Sequence, residues 1–143
     1  MTVDWENPLK EWTFRAVSGA IASQKFGHGL GVGDVNRDGR RDILHKDGWF
    51  EQPASGKEPW KARKFAFTPR GGAQMFAYDV DGDGDNDIIT SLAAHEFGLA
   101  WFEQVKGEGD GGITFKKHLI MGSTRRENKY GVVFSELHAT GLH

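Results

Sequence analysis

Two nine-residue stretches carry the densest chemistry in this chain. The first is Asp34-Val35-Asn36-Arg37-Asp38-Gly39-Arg40-Arg41-Asp42, and the second is Asp79-Val80-Asp81-Gly82-Asp83-Gly84-Asp85-Asn86-Asp87. In such a loop the side chains at positions 1, 3, 5 and 9 can converge on one point. A glycine at position 6 permits the sharp turn, and position 7 can offer its backbone carbonyl. The expected ligand sets are therefore Asp34, Asn36, Asp38, Arg40 (through its carbonyl) and Asp42, and Asp79, Asp81, Asp83, Asp85 (through its carbonyl) and Asp87. Hard oxygen donors in that number suit calcium, which implies two ions, one per loop. Five aspartates between Asp79 and Asp87 also demand a cation, because like charges a few ångströms apart repel. The first loop carries less charge, with Asn36 in place of an aspartate and Arg37, Arg40 and Arg41 close by.

Neither loop continues as an EF-hand. That motif needs a bidentate glutamate at position 12, where this chain has His45 and Thr90, and no amphipathic helix flanks either loop. Other residues invite a chemical reading. His28, His95 and His138, with Glu96 beside His95, lie near the ends of equivalent strands or in an insertion. They could converge on a substrate or on an additional transition metal. Glu51 and Glu103 could form an acid/base pair, but their equivalent places in a repeat favour a structural hydrogen-bonding role. Trp49, Phe50, Trp101 and Phe102 could stack on sugars, yet aromatic residues recurring in strands are more often core. Lys116, Lys117, Arg125, Arg126 and Lys129 read most simply as a solvated rim.

The elements that position these residues announce themselves as repeats. The second loop follows the first by 45 residues (Asp34 to Asp79), and each is followed by Trp-Phe-Glu-Gln, at Trp49–Gln52 and Trp101–Gln104. Each loop is preceded by a glycine- or alanine-rich apolar segment. A third type of segment recurs as Trp12-Thr13-Phe14-Arg15, Trp60-Lys61-Ala62-Arg63 and Ile113-Thr114-Phe115-Lys116. From Phe26 to Asp34 the residues alternate strictly, with Phe26, His28, Leu30 and Val32 on one side and four glycines on the other. Period two predicts a strand, and a side without side chains suits very close backbone packing, as near a propeller axis. Between loop and tetrapeptide the second copy is seven residues longer (Asp34 to Trp49 against Asp79 to Trp101). That insertion, around residues 91–98, predicts a loop on a binding face.

The chain has 143 residues, enough for a single domain of 1–143 with repeat units of approximately 12–59, 60–112 and an incomplete 113–143. Its 20 glycines and 17 aromatic residues favour short strands and tight turns over helices. The expected fold class is all-β, built as β-propeller blades of short antiparallel strands in about two and a half repeats. A formal net charge of −2 gives no field for nucleic acid, and no run of apolar residues has the length of a membrane span. The absence of cysteine removes disulfides and thiol zinc sites.

These features resemble the FG-GAP (VCBS-type) repeats, through Phe26-Gly27, the glycine-rich segment, the two loops and Trp-Phe-Glu-Gln. The resemblance covers residues 12–143 and implies calcium-bearing propeller blades of the kind found in the integrin α-chain head. It also implies a surface for a protein or carbohydrate ligand. Ser135-Glu136-Leu137-His138-Ala139 is similar, more loosely, to bacterial FG-GAP propellers related to aldos-2-ulose dehydratase. That second likeness implies an alternative, a carbohydrate-processing lyase or dehydratase with a histidine-lined site. Calcium loops favour an extracytoplasmic setting, although residues 1–20 contain no signal peptide. Two and a half repeats cannot close a ring of at least four blades, so the chain is expected to be a fragment of a longer propeller or a homo-oligomer.

Overall fold

A computed structural model of the chain describes residues 4–19, 28–56, 58–68, 72–94, 98–127 and 133–139, with 123–127 and 133–139 as backbone. Nine strands and no helix occur among them: β1 (Leu30–Gly33), β2 (Asp42–His45), β3 (Gly48–Glu51), β4 (Lys61–Lys64), β5 (Gln74–Tyr78), β6 (Asp87–Ser91), β7 (Leu99–Lys106), β8 (Ile113–Glu127) and β9 (Val133–Ala139). The expected all-β class is therefore correct. No described helix is long and apolar enough to cross a membrane.

The strands form one sheet in the order β4-β3-β2-β1-β5-β6-β7-β8-β9. Every neighbouring pair is antiparallel except β1 and β5, which run parallel in the middle (Leu30 opposite Gln74, Gly31 opposite Met75). Each half is thus a simple meander that begins at the central seam and steps outward. The first half turns from β2 to β3 in two residues, Lys46 and Asp47, whereas residues 92–98 connect β6 to β7. Five of the seven additional residues expected from sequence fall there, and the other two lengthen β6 and the start of β7 by one residue each.

The seam explains the glycine-lined side of β1. A Cβ placed on Gly31 would stand 2.1 Å from the Met75 carbonyl oxygen, and one on Gly33 would stand 2.3 Å from the Ala77 Cβ. The strand is shorter than its alternation predicts. Gly29 has a φ of +87°, which interrupts the extended backbone before Leu30, and residues 20–27 lie outside the described residues.

The sheet curls at this seam so that one side of it encloses the core. Val35, Leu44, Trp49, Phe67, Met75, Ile88, Ala100, Phe102 and Phe115 form that core, with Phe65, Ala77, Leu92 and Ile113 packed against it. Phe67 closes it between the halves, its ring centroid 5.2 Å from Phe102 and 5.0 Å from Phe115. Trp49 meets Phe115 edge-on at 5.8 Å.

The two copies of Trp-Phe-Glu-Gln do not use the same side. In the first half Trp49 enters the core cluster and Phe50 lies off it; in the second Phe102 enters and Trp101 lies off it. Successive strand residues point to opposite sides, so the halves pack through opposite sides of the same repeated unit.

The third recurring segment needs a correction of register. Glu51 pairs with Lys61 and Glu103 with Lys116, so Trp60 corresponds to Phe115 and not to Ile113. The slip is two residues, which leaves the inward side of the strand unchanged.

Candidate metal centre

The aspartate loops connect β1 to β2 and β5 to β6, at the same end of the two meanders. Both are shaped by their own carboxylates. Asp34 accepts hydrogen bonds from the amides of Asp38 (3.1 Å) and Gly39 (2.8 Å), and Asp79 from those of Gly82 (2.7 Å) and Gly84 (3.1 Å). Asp81 and Asp83 accept in turn from the amides of Asp83 (3.1 Å) and Asp85 (2.7 Å). At position 6, Gly39 and Gly84 take φ values of +83° and +91°, as the motif requires. Position 4 is left-handed in both copies as well, at Arg37 (+60°) and Gly82 (+80°).

In the second loop, oxygens of Asp79, Asp81 and Asp83 all lie within 4.8 Å of one another. Two oxygens bound to one calcium at 2.3–2.6 Å each can be at most about 5 Å apart, so this cluster has the span of a single coordination shell. The first loop is arranged differently. The Arg40 guanidinium pairs with Asp38, whose carboxylate also accepts from Asn36 Nδ2 at 2.9 Å. Arg40 Nε donates to the Gln52 carbonyl at 2.9 Å. A cation entering here must displace an internal counter-ion.

Position 9 is occupied in both copies by a carboxylate already committed to the main chain. Asp42 accepts from the amides of Val35 (3.0 Å) and Gln52 (2.9 Å), and Asp87 from those of Val80 (3.0 Å) and Gln104 (2.8 Å). Both are buried, and desolvation pushes both above the ordinary carboxylate value in spite of these bonds. Each ties its loop to the glutamine of the following tetrapeptide. That is a clamp, made through the main chain at that position and not through the glutamine side chain.

The loops also touch each other. Arg37 of the first reaches Asp85 of the second at 3.1 Å, and Asn86 Nδ2 donates to the Asp34 carbonyl at 2.7 Å. With its amide oriented by its neighbours, Gln104 donates to the Val35 carbonyl at 2.9 Å.

The histidine cluster is not assembled among the described residues. His28 is exposed ahead of β1, His138 lies in β9 with its backbone alone described, and four strands separate β1 from β9 in the sheet. His95 and Glu96 lie outside the described residues.

A different histidine has a carboxylate partner. His118 Nε2 is 2.6 Å from Glu103, Lys116 is 3.3 Å from the same oxygen, and the His118 ring stacks on Trp101 at 4.4 Å. The His118 bond, with Lys116, holds Glu103 below its ordinary value. Its counterpart, Glu51, is held by Arg63 at 2.7 Å, and Arg63 also reaches Asp110 at 2.9 Å. Sequence spacing gave no sign of His118, because its partner is set by the β7–β8 register. Beside the first tetrapeptide lies a groove of about 820 Å³, with Arg15, Gln52, Glu58 and Trp60 in its walls.

No family model, curated protein or solved structure matches the chain.

Proposed function

We propose that this chain is a calcium-binding repeat module of the FG-GAP (VCBS) type, with structural ions and a surface for a protein or carbohydrate ligand. The observation that carries the reading is the convergence of Asp79, Asp81 and Asp83 within 4.8 Å. It occurs in a loop whose positions 4 and 6 repeat the backbone turns of the loop 45 residues earlier. The propeller reading is supported by two antiparallel meanders whose first strands run parallel at the centre. The 79–87 loop binds the tighter ion, and the 34–42 loop binds the weaker one because Arg40 must leave Asp38. The groove beside Trp60 supports a carbohydrate ligand, since it combines an aromatic face with the polar groups of Arg15 and Glu58.

Calorimetric titration of calcium into chelator-treated protein tests the metal. Two events of unequal affinity are expected, the tighter one lost in Asp83→Ala and the weaker one in Asp38→Ala. Calcium at 100 times its dissociation constant should also add about 2.7 kcal/mol of stability per site. Melting curves that coincide in calcium and in excess chelator would remove structural calcium from this account.

A further inference from the structure

The two aspartate loops are joined by contacts that neither needs for its own turn. Arg37, at position 4 of the first, is the one non-glycine residue with a positive φ (+60°) among the described residues; the second loop has Gly82 there (+80°). A residue with a side chain keeps that conformation only where its surroundings hold it. The Arg37 side chain is held on the other loop. Its guanidinium reaches the Asp85 carboxylate at 3.1 Å, and a Cβ on Gly84 would stand 3.4 Å from its Nη1. In return, Asn86 Nδ2 donates to the Asp34 carbonyl at 2.7 Å. Positions 7 and 8 of the second loop thus hold positions 4 and 1 of the first.

These contacts use atoms that a bound cation does not need. The expected ligand at Asp85 is its carbonyl, whereas the side chain holds Arg37; the expected ligand at Asp34 is its carboxylate, whereas the carbonyl holds Asn86. Arg37 and Asn86 themselves belong to neither ligand set. We infer that Arg37 and Asn86 make the two loops one conformational unit, in which ordering one loop favours the ordered form of the other.

A loop already held in its turn loses less freedom when it is filled, and the benefit is the same in both directions. Repulsion between two filled sites works against it. That repulsion acts through solvent, where salt screens it, because the Arg37 side chain is 56% exposed and Asp81 and Asp83 are exposed. Ordering is the larger effect. Applied to calcium, the inference rests on the reading of the loops given above and makes binding to them positively cooperative; the ordering itself does not need the metal.

Hydrogen exchange in excess chelator tests the ordering. The amides of Asp38 and Gly39 are bonded to the Asp34 carboxylate. In Asn86→Ala they should exchange severalfold faster, although the change lies in the other loop, while the amides of β2 and β3 keep their rates. Asp85→Asn, which frees Arg37 from the same loop, takes its place if Asn86→Ala loses the wild-type circular dichroism. Calcium titration tests the affinities. With the second loop disabled by Asp83→Ala, the 34–42 loop should bind about fivefold more weakly than in the wild type, at the low end for coupled sites. Asp38→Ala should weaken the 79–87 loop by the same factor. When Arg37→Gly and Asn86→Ala are both present, each loop should bind equally well whether or not the other is disabled; glycine keeps the left-handed turn at position 37. Unchanged exchange overturns the inference. So does calcium bound with affinities indifferent to the other loop. If no calcium binds, the reading of the loops fails, and the exchange result alone decides the inference.

Discussion

Asp42 and Asp87 share the loops with the converging carboxylates, and a chelator separates the two roles. Asp81 is exposed, belongs to the cluster and accepts a single amide, so Asp81→Ala should melt only slightly below wild type in excess chelator yet lose the calcium-dependent rise. Asp87 holds two main-chain amides, and a hydrogen bond to a charged group contributes about 1.5–3 kcal/mol. Asp87→Ala should therefore lower the urea midpoint strongly whether or not calcium is present. His45 carries a different dependence. Burial pushes its imidazole below the ordinary value of 6.5, against the pull of Asp47 and with that of Lys46, while its ring stacks on Phe50 at 4.8 Å. The unfolded chain then takes up a proton that the folded one resists. The His45 contribution is complete above the unfolded value and is lost as pH falls from about 6.5 toward the lower folded value. His45→Gln should flatten that part of the stability profile, measured by urea unfolding at successive pH values.

The element that decides the fold is the parallel seam between β1 and β5, and it can be tested with a single methyl group. Gly31→Ala places a Cβ against the Met75 carbonyl, and overpacking of that kind costs about 1–3 kcal/mol. Gly56→Ala, with nothing within 4 Å, should leave the urea midpoint unchanged. Much of this arrangement was legible in the residues. The loops, the tetrapeptide strands, the close glycine side and the longer second connection all follow from spacing and period. What period two cannot convey is which side of a strand finds a partner. Trp49 and Trp101 are identical in sequence context, yet one enters the central core and the other stacks on His118. The two-residue slip at Trp60 and the Glu103–His118 pair were hidden for the same reason, since pairing register is set by turns and by packing across the sheet. In the loops, spacing gave the aspartates but not the commitment of position 9 to backbone amides.

At the scale of the whole molecule, one core is shared by the two halves, with Phe65 and Phe67 inserted between them. Arg37 to Asp85, Asn86 to the Asp34 carbonyl and Arg63 to Asp110 cross the same boundary. The halves are expected to unfold together. Tryptophan fluorescence and far-ultraviolet circular dichroism should give one coincident urea midpoint, and separate midpoints would mean that each half stands alone. The opposed use of the tetrapeptide has a further consequence for how such a chain can change by descent. A duplicated segment of this kind places each of its residues in two settings, one against the shared core and one on the opposite side of the sheet, where Phe50 is covered by His45 and Trp101 by His118. A substitution harmless in one setting is tried afresh in the other whenever the segment is copied. Both the tryptophan and the phenylalanine must therefore remain able to be buried in either setting.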